Sequence, residues 1–125
     1  MDSEKERVVA SLRGLHARTQ KNACVWETDD GDSFYTDLRG IRIMLRQQPG
    51  AQFDSIDYVV SFCSLDTGEV ILDFTDVDLK DVMVHSYSIM RDLYKQARLT
   101  ARGYKEALDS ALDDLIKDDP DHIPF

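Results

Sequence analysis

Residues 118–125 read Asp118-Asp119-Pro120-Asp121-His122-Ile123-Pro124-Phe125, three carboxylates followed by an apolar end. At a chain end, the Phe125 ring and its α-carboxylate are presented together. A partner can seat the ring in an apolar pocket and pair the carboxylate with a cation, for which the fixed donor fork of arginine is best suited. Pro124 fixes one backbone dihedral and biases Ile123 toward an extended conformation, which reduces the entropy lost on docking. Asp118, Asp119 and Asp121 would speed encounter with a basic surface and add salt-sensitive attraction. The chemistry expected of this stretch is recognition. A second pattern is basic. Arg91, Lys95, Arg98, Arg102 and Lys105 recur every three or four residues, as a stripe along a helix would, and Arg42 and Arg46 alternate along a strand-like run. These residues could bind an anion, although a solvated charged face is the commoner use of such a stripe.

The ending resembles the C-terminal tip of bacterial single-stranded DNA-binding proteins, which close in a run of aspartates followed by Ile-Pro-Phe. The matching residues here are Asp118, Asp119, Asp121, Ile123, Pro124 and Phe125. In that family the tip recruits replication, repair and recombination proteins through pockets with a basic rim. The resemblance therefore implies that proteins recognising that tip are the partners. It does not extend to the body of the chain, where the family needs an OB-type barrel with a basic, aromatic-lined groove. The order of elements, with Trp26 before an Asp-Gly turn, Leu93-Tyr94 with Ala97-Arg98, and an apolar helix from Leu108 to Leu115, is similar to short uncharacterised bacterial proteins. That likeness implies the fold and a bacterial or phage origin.

No reaction chemistry stands out. His16, His85 and His122 fall in no catalytic motif, and no P-loop, dinucleotide fingerprint, zinc spacing or nucleophile elbow is present. A non-enzyme without cofactor or metal is expected. Asp73, Asp76, Asp78 and Asp81 cluster in sequence, but capping and turn chemistry accounts for them. Cys24 and Cys63 lack metal-ligand spacing and read as reduced apolar residues, with a disulfide between them left open.

The elements that must position these residues follow from periodicity. Ser3 and Glu6 have the spacing of a capping box, and Val8, Val9, Leu12 and Leu15 make one face of a helix over 3–20. Strands are expected at 23–28, 33–38, 41–46, 56–64 and 69–75, joined at Asp30-Gly31, Arg39-Gly40, Pro49-Gly50 and Asp66-Thr67-Gly68. Met44, Val59, Cys63 and Ile71 fall on the second face of that sheet, a candidate dimer surface. Asp78 can cap a long helix whose stripe runs Val82, Met83, Tyr87, Met90, Leu93, Tyr94, Ala97 and Ala101. Gly103 breaks it, and a last helix turns Leu108, Leu112, Leu115 and Ile116 inward until Pro120 stops it. The expected architecture is α+β, with an N-terminal helix, a five-stranded antiparallel meander, two C-terminal helices packed on the sheet, and a short acidic tail. One domain spans 1–117, and 118–125 is a flexible tail.

Composition bounds the function. At 125 residues, 42% hydrophobic and 31% charged, the chain can bury a real core. A net charge of −9 argues against general binding to nucleic-acid phosphates. No membrane span or signal peptide is visible, so cytoplasmic residence is expected. The leading expectation is a non-enzymatic adaptor or modulator acting through the tail. The alternatives are an acidic dimeric chaperone or antitoxin-like binder using the sheet face, and a sensor for a small anionic ligand.

Overall fold

The alternating stretch from 34 to 75 folds into four strands in a computed structural model that describes residues 4–121. They are β1 (Phe34–Leu38), β2 (Ile41–Pro49), β3 (Ile56–Ser64) and β4 (Val70–Thr75), paired as an antiparallel meander in the order β1-β2-β3-β4. Arg39 and Gly40 both take positive φ, 52° and 80°, the backbone that a two-residue hairpin loop needs. Leu38 therefore faces Ile41, and the register carries Phe34 opposite Leu45 and Arg46 opposite Val59. Phe34, Ile43, Leu45, Tyr58 and Val60 join the core, whereas Tyr35, Arg42, Met44 and Arg46 share the outward face with Val59, Ser61 and Cys63.

The strand expected at 23–28 does not form, so the meander has four strands instead of five. Only Glu27 bridges to Tyr35, with two backbone bonds of 2.9 Å. The residues before it serve the core. Trp26 is buried and its indole donates to Thr19 Oγ1 at 3.0 Å, while the Thr19 hydroxyl donates to the Leu15 carbonyl at 2.8 Å. The Asp-Gly stretch becomes a pinned loop. The Asp30 carboxylate accepts from the backbone N–H of Asp32 and Ser33 and from the Ser33 hydroxyl, bonds that hold it below the usual carboxylate range.

Helix α1 (Glu4–Gln20) buries Val8, Val9, Leu12 and Leu15 at the spacing read from the sequence. Ser3, its expected cap, lies outside the described residues. Asn22, in the left-handed region at φ 59°, ends the helix, with Ala23 N–H donating to Arg18 O and Asn22 N–H to Thr19 O. This is the bond pair of a Schellman motif.

The long helix expected after Asp78 is two helices, α2 (Asp76–Leu79) and α3 (Ser86–Ala101). Thr75, not Asp78, is the cap. Its hydroxyl accepts from Asp78 N–H, and the Asp78 carboxylate accepts from Thr75 N–H, both at 3.0 Å. The chain then bends so that Leu79 and Met83 both reach the core, and the Ser86 hydroxyl donates to the Asp76 carbonyl at 2.7 Å, fixing where α3 starts. α3 packs against α1, α2, β1 and β3, burying Met90, Leu93, Tyr94 and Ala97. Tyr87, expected inward, stays 44% exposed, its ring tilted against that of Tyr58 with centroids 5.5 Å apart.

Tyr94 links α3 to the pinned loop, its hydroxyl donating to the Asp32 carbonyl at 2.7 Å. Burial pushes this phenol above its ordinary range, and the Asp32 carboxylate adds to the shift. The folded chain thus keeps the proton to higher pH than the unfolded chain does. The contribution is complete below about pH 10, the unfolded value, and is lost as pH rises through the folded one. Tyr94→Phe should lower stability at neutral pH by about 1 kcal/mol, yet flatten the alkaline decline between about pH 9 and 11. Urea melts of both chains across that range measure it, and parallel declines would contradict this account.

Candidate functional site: the C-terminal arm

The last helix, α4 (Tyr104–Lys117), is built from strong helix formers, with Glu106 in its first turn and Lys117 in its last. Gly103 precedes it at φ 73°, a left-handed position that a side chain would strain. The chain turns there, and α3 is the element against which α4 mainly packs. The sequence placed its apolar residues inward against the sheet. They are exposed instead: Leu108, Leu112, Leu115 and Ile116 are 42–68% accessible, along one face of the helix that Tyr104, also exposed, extends. The sheet's inner face is already taken by α1 and α3, so the packing of two C-terminal helices on the sheet holds for α3 alone.

The first tail residues continue from this helix. Asp118 is its C-cap, with its N–H donating to Leu115 O, and Asp119 N–H donates to Ile116 O, each at 3.1 Å. The Asp119 carboxylate accepts from Asp121 N–H at 3.0 Å. All three aspartates are exposed. A helix C-terminus carries partial negative charge, so carboxylates there cost helix stability, roughly 0.3–1 kcal/mol each. Asp118 and Asp119 therefore do not stabilise the helix end through its macrodipole. Ile123, Pro124 and Phe125 lie outside the described residues.

The basic residues divide into separate groups. Arg42, on the outward sheet face, donates to both Asp37 oxygens at 2.9 and 3.2 Å and stacks 3.9 Å above the Tyr35 ring. The Asp37 bonds raise its pKa further. Arg46 pairs with Asp73 at 3.7 Å. Arg102 donates to the Gly31 carbonyl and lies 3.9 Å from Asp32, so it holds the pinned loop. Arg91, Lys95 and Arg98 do share the solvent face of α3, with Arg91 over the Tyr87 ring at 5.7 Å. α3 packs on the inner side of the sheet, so this stripe and the Arg42–Arg46 pair cannot act on one ligand.

Two further features bear on activity. Cys24 and Cys63 are both free. His16 bonds to Asp92, an α1–α3 tie that also receives Gln96 at 2.7 Å. Among the described residues no three His, Cys, Asp or Glu side chains come together to hold a metal ion, and no helix is long and apolar enough to cross a membrane. One surface escaped the sequence reading. A groove between α1 and the β1–β2 hairpin is floored by Leu15, Ile41, Ile43 and Phe62. The available signal was the spacing of Arg7, Ser11, Gly14 and Arg18 along one helix face, charged at both ends and small in the middle. No protein-family model, curated protein or solved structure matches this chain.

Proposed function

We propose that the protein is a non-enzymatic adaptor or modulator whose C-terminal arm docks onto genome-maintenance proteins that recognise the tip of single-stranded DNA-binding proteins. The observation that carries this reading is the display of Asp118, Asp119 and Asp121, exposed, at the end of a helix that they do not stabilise. In this reading Phe125 fills an apolar pocket with a guanidinium on its rim, and Ile123 and Pro124 hold the approach extended. The aspartates steer the encounter. The outward sheet face offers less support as a binding surface. Val59 is only 1% exposed there, and Arg42 and Arg46 are engaged by Asp37 and Asp73.

The test is fluorescence anisotropy of a labelled peptide of residues 116–125 against a panel of bacterial tail-binding repair proteins. Two control peptides carry the comparison, one lacking Phe125 and one amidated at its end. Saturable binding that weakens with salt, and falls by on the order of a hundredfold in either control, is the expected result. Equal binding of all three peptides, or none across the panel, would remove the arm from the function.

A further inference from the structure

The apolar groove and the exposed helix answer one another. The groove, about 380 Å³, has Ser11 and Gly14 as its low wall on α1, and a Cβ on Gly14 would meet nothing within 4 Å. Arg18 and Arg39 stand on its rim, exposed, and among the described residues no carboxylate pairs with either. A second cleft adjoins it at Ser11 and Phe62 and reaches Leu72, with both Glu4 and Arg7 in its lining. The same chain carries a helix with an uncovered apolar stripe, flanked by Asp109, Asp113 and Asp114.

We propose that α4 of one copy lies in this groove of a second copy, and the reverse, forming a twofold arm-exchanged dimer. Four arguments lead there. A helix of 14 residues is marginal in water on its own, so its amphipathic face requires cover. The lengths agree: α4 spans about 21 Å, and α1 from Arg7 to Arg18 about 16 Å. The charges agree as well, since acids flank the stripe and arginines rim the groove. Pairing α4 with α4 would instead bring two acidic rows together. Finally, the arm leaves its own body at Gly103 beside Asn22 and Cys24, so its own groove is reached only by folding back on that glycine. Reciprocal exchange is isologous and closes on itself, leaving no open end to propagate a fibre. An amphipathic helix laid in an apolar groove is a recurring recognition mode. The inference does not depend on what the tail binds, because residues after Lys117 lie past the docked helix.

Sedimentation velocity of the full chain over about a hundredfold range of concentration tests the proposal, since a dimer obeys mass action. Leu112→Asp disables the arm, and Gly14→Phe fills the groove at a position with open space. Emission of Trp26, the one tryptophan, reports that the fold survives. The wild-type chain should sediment as a dimer, and each variant should raise the dissociation constant on the order of a hundredfold. Mixing the two variants should restore a dimer, because one intact arm then meets one intact groove. If Gly14→Phe disturbs Trp26, Arg18→Glu takes its place, with the same expected weakening. A monomer at every concentration overturns the proposal. So does a dimer that resists the groove variant, the arm variant or both, and so does a mixture that stays monomeric.

Discussion

Phe34→Ala should cost about 3–5 kcal/mol and lower the melting temperature by on the order of 15 °C. Phe34 is fully buried at the start of β1. Its ring meets Tyr94 edge-on at 5.2 Å, and Tyr94 in turn meets Tyr58 at 5.4 Å, so one side chain ties the first strand to α3 and, through it, to β3. Truncation leaves a cavity walled by a strand, a helix and a pinned loop, none of which can collapse easily, and that is where such costs are highest. Edge-on aromatic contacts add about 0.5–1.5 kcal/mol beyond area. Chemical denaturation with Trp26 as reporter gives the number. A loss under about 1 kcal/mol would mean that Phe34 is not packed as described.

Asp76→Ala should cost about 2–3 kcal/mol by a different route. Asp76 follows the last residue of β4, where the β3–β4 ladder ends at Val59 opposite Thr75. Its buried carboxylate accepts from the Tyr58 N–H at 2.7 Å, extending the ladder by one bond from a side chain. Its carbonyl receives the Ser86 hydroxyl. Alanine keeps the carbonyl and deletes the acceptor, leaving the buried Tyr58 N–H of a central strand unsatisfied, a penalty larger than the value of the bond itself. Asp76→Asn retains an acceptor oxygen and should recover most of the loss. Hydrogen exchange at the Tyr58 amide separates the cases. It should quicken strongly in the alanine variant and slightly in the asparagine one, and unchanged protection in both would contradict the role given to Asp76.

What could be read from the sequence tracks the range of each signal. Positions whose environment is set within a few residues were legible: the inner face of α1, the Arg39–Gly40 hairpin, β3, β4 and the buried stripe of α3. The strand at 23–28 misled because Trp26 fits a strand in composition, whereas its indole is claimed by Thr19 on α1. The break before α3 misled because Leu79 and Met83 fit helical spacing and are both buried, whereas the chain between them and Ser86 is a turn fixed by the Ser86 hydroxyl on the Asp76 carbonyl. α4 misled for a deeper reason. Apolar periodicity states that a helix has a covered face and is silent on which molecule covers it. For the candidate site, the helix that carries the tail was legible and its exposure was not. The α1 wall of the groove left a signal in the spacing of Arg7, Ser11, Gly14 and Arg18, but its floor was illegible, because it comes from two strands and a helix brought together only by folding.

The turn at Gly103 also divides the chain by what constrains its residues. A substitution in α3 must satisfy α1, α2, β1 and β3 at once, so few will be tolerated there. A substitution in α4 answers to little of its own body. The arm can therefore be exchanged for another amphipathic helix, or given another ending, without refolding the domain behind it. Another amphipathic helix grafted after Gly103 would meet the same few constraints from the body, chiefly its contact with α3.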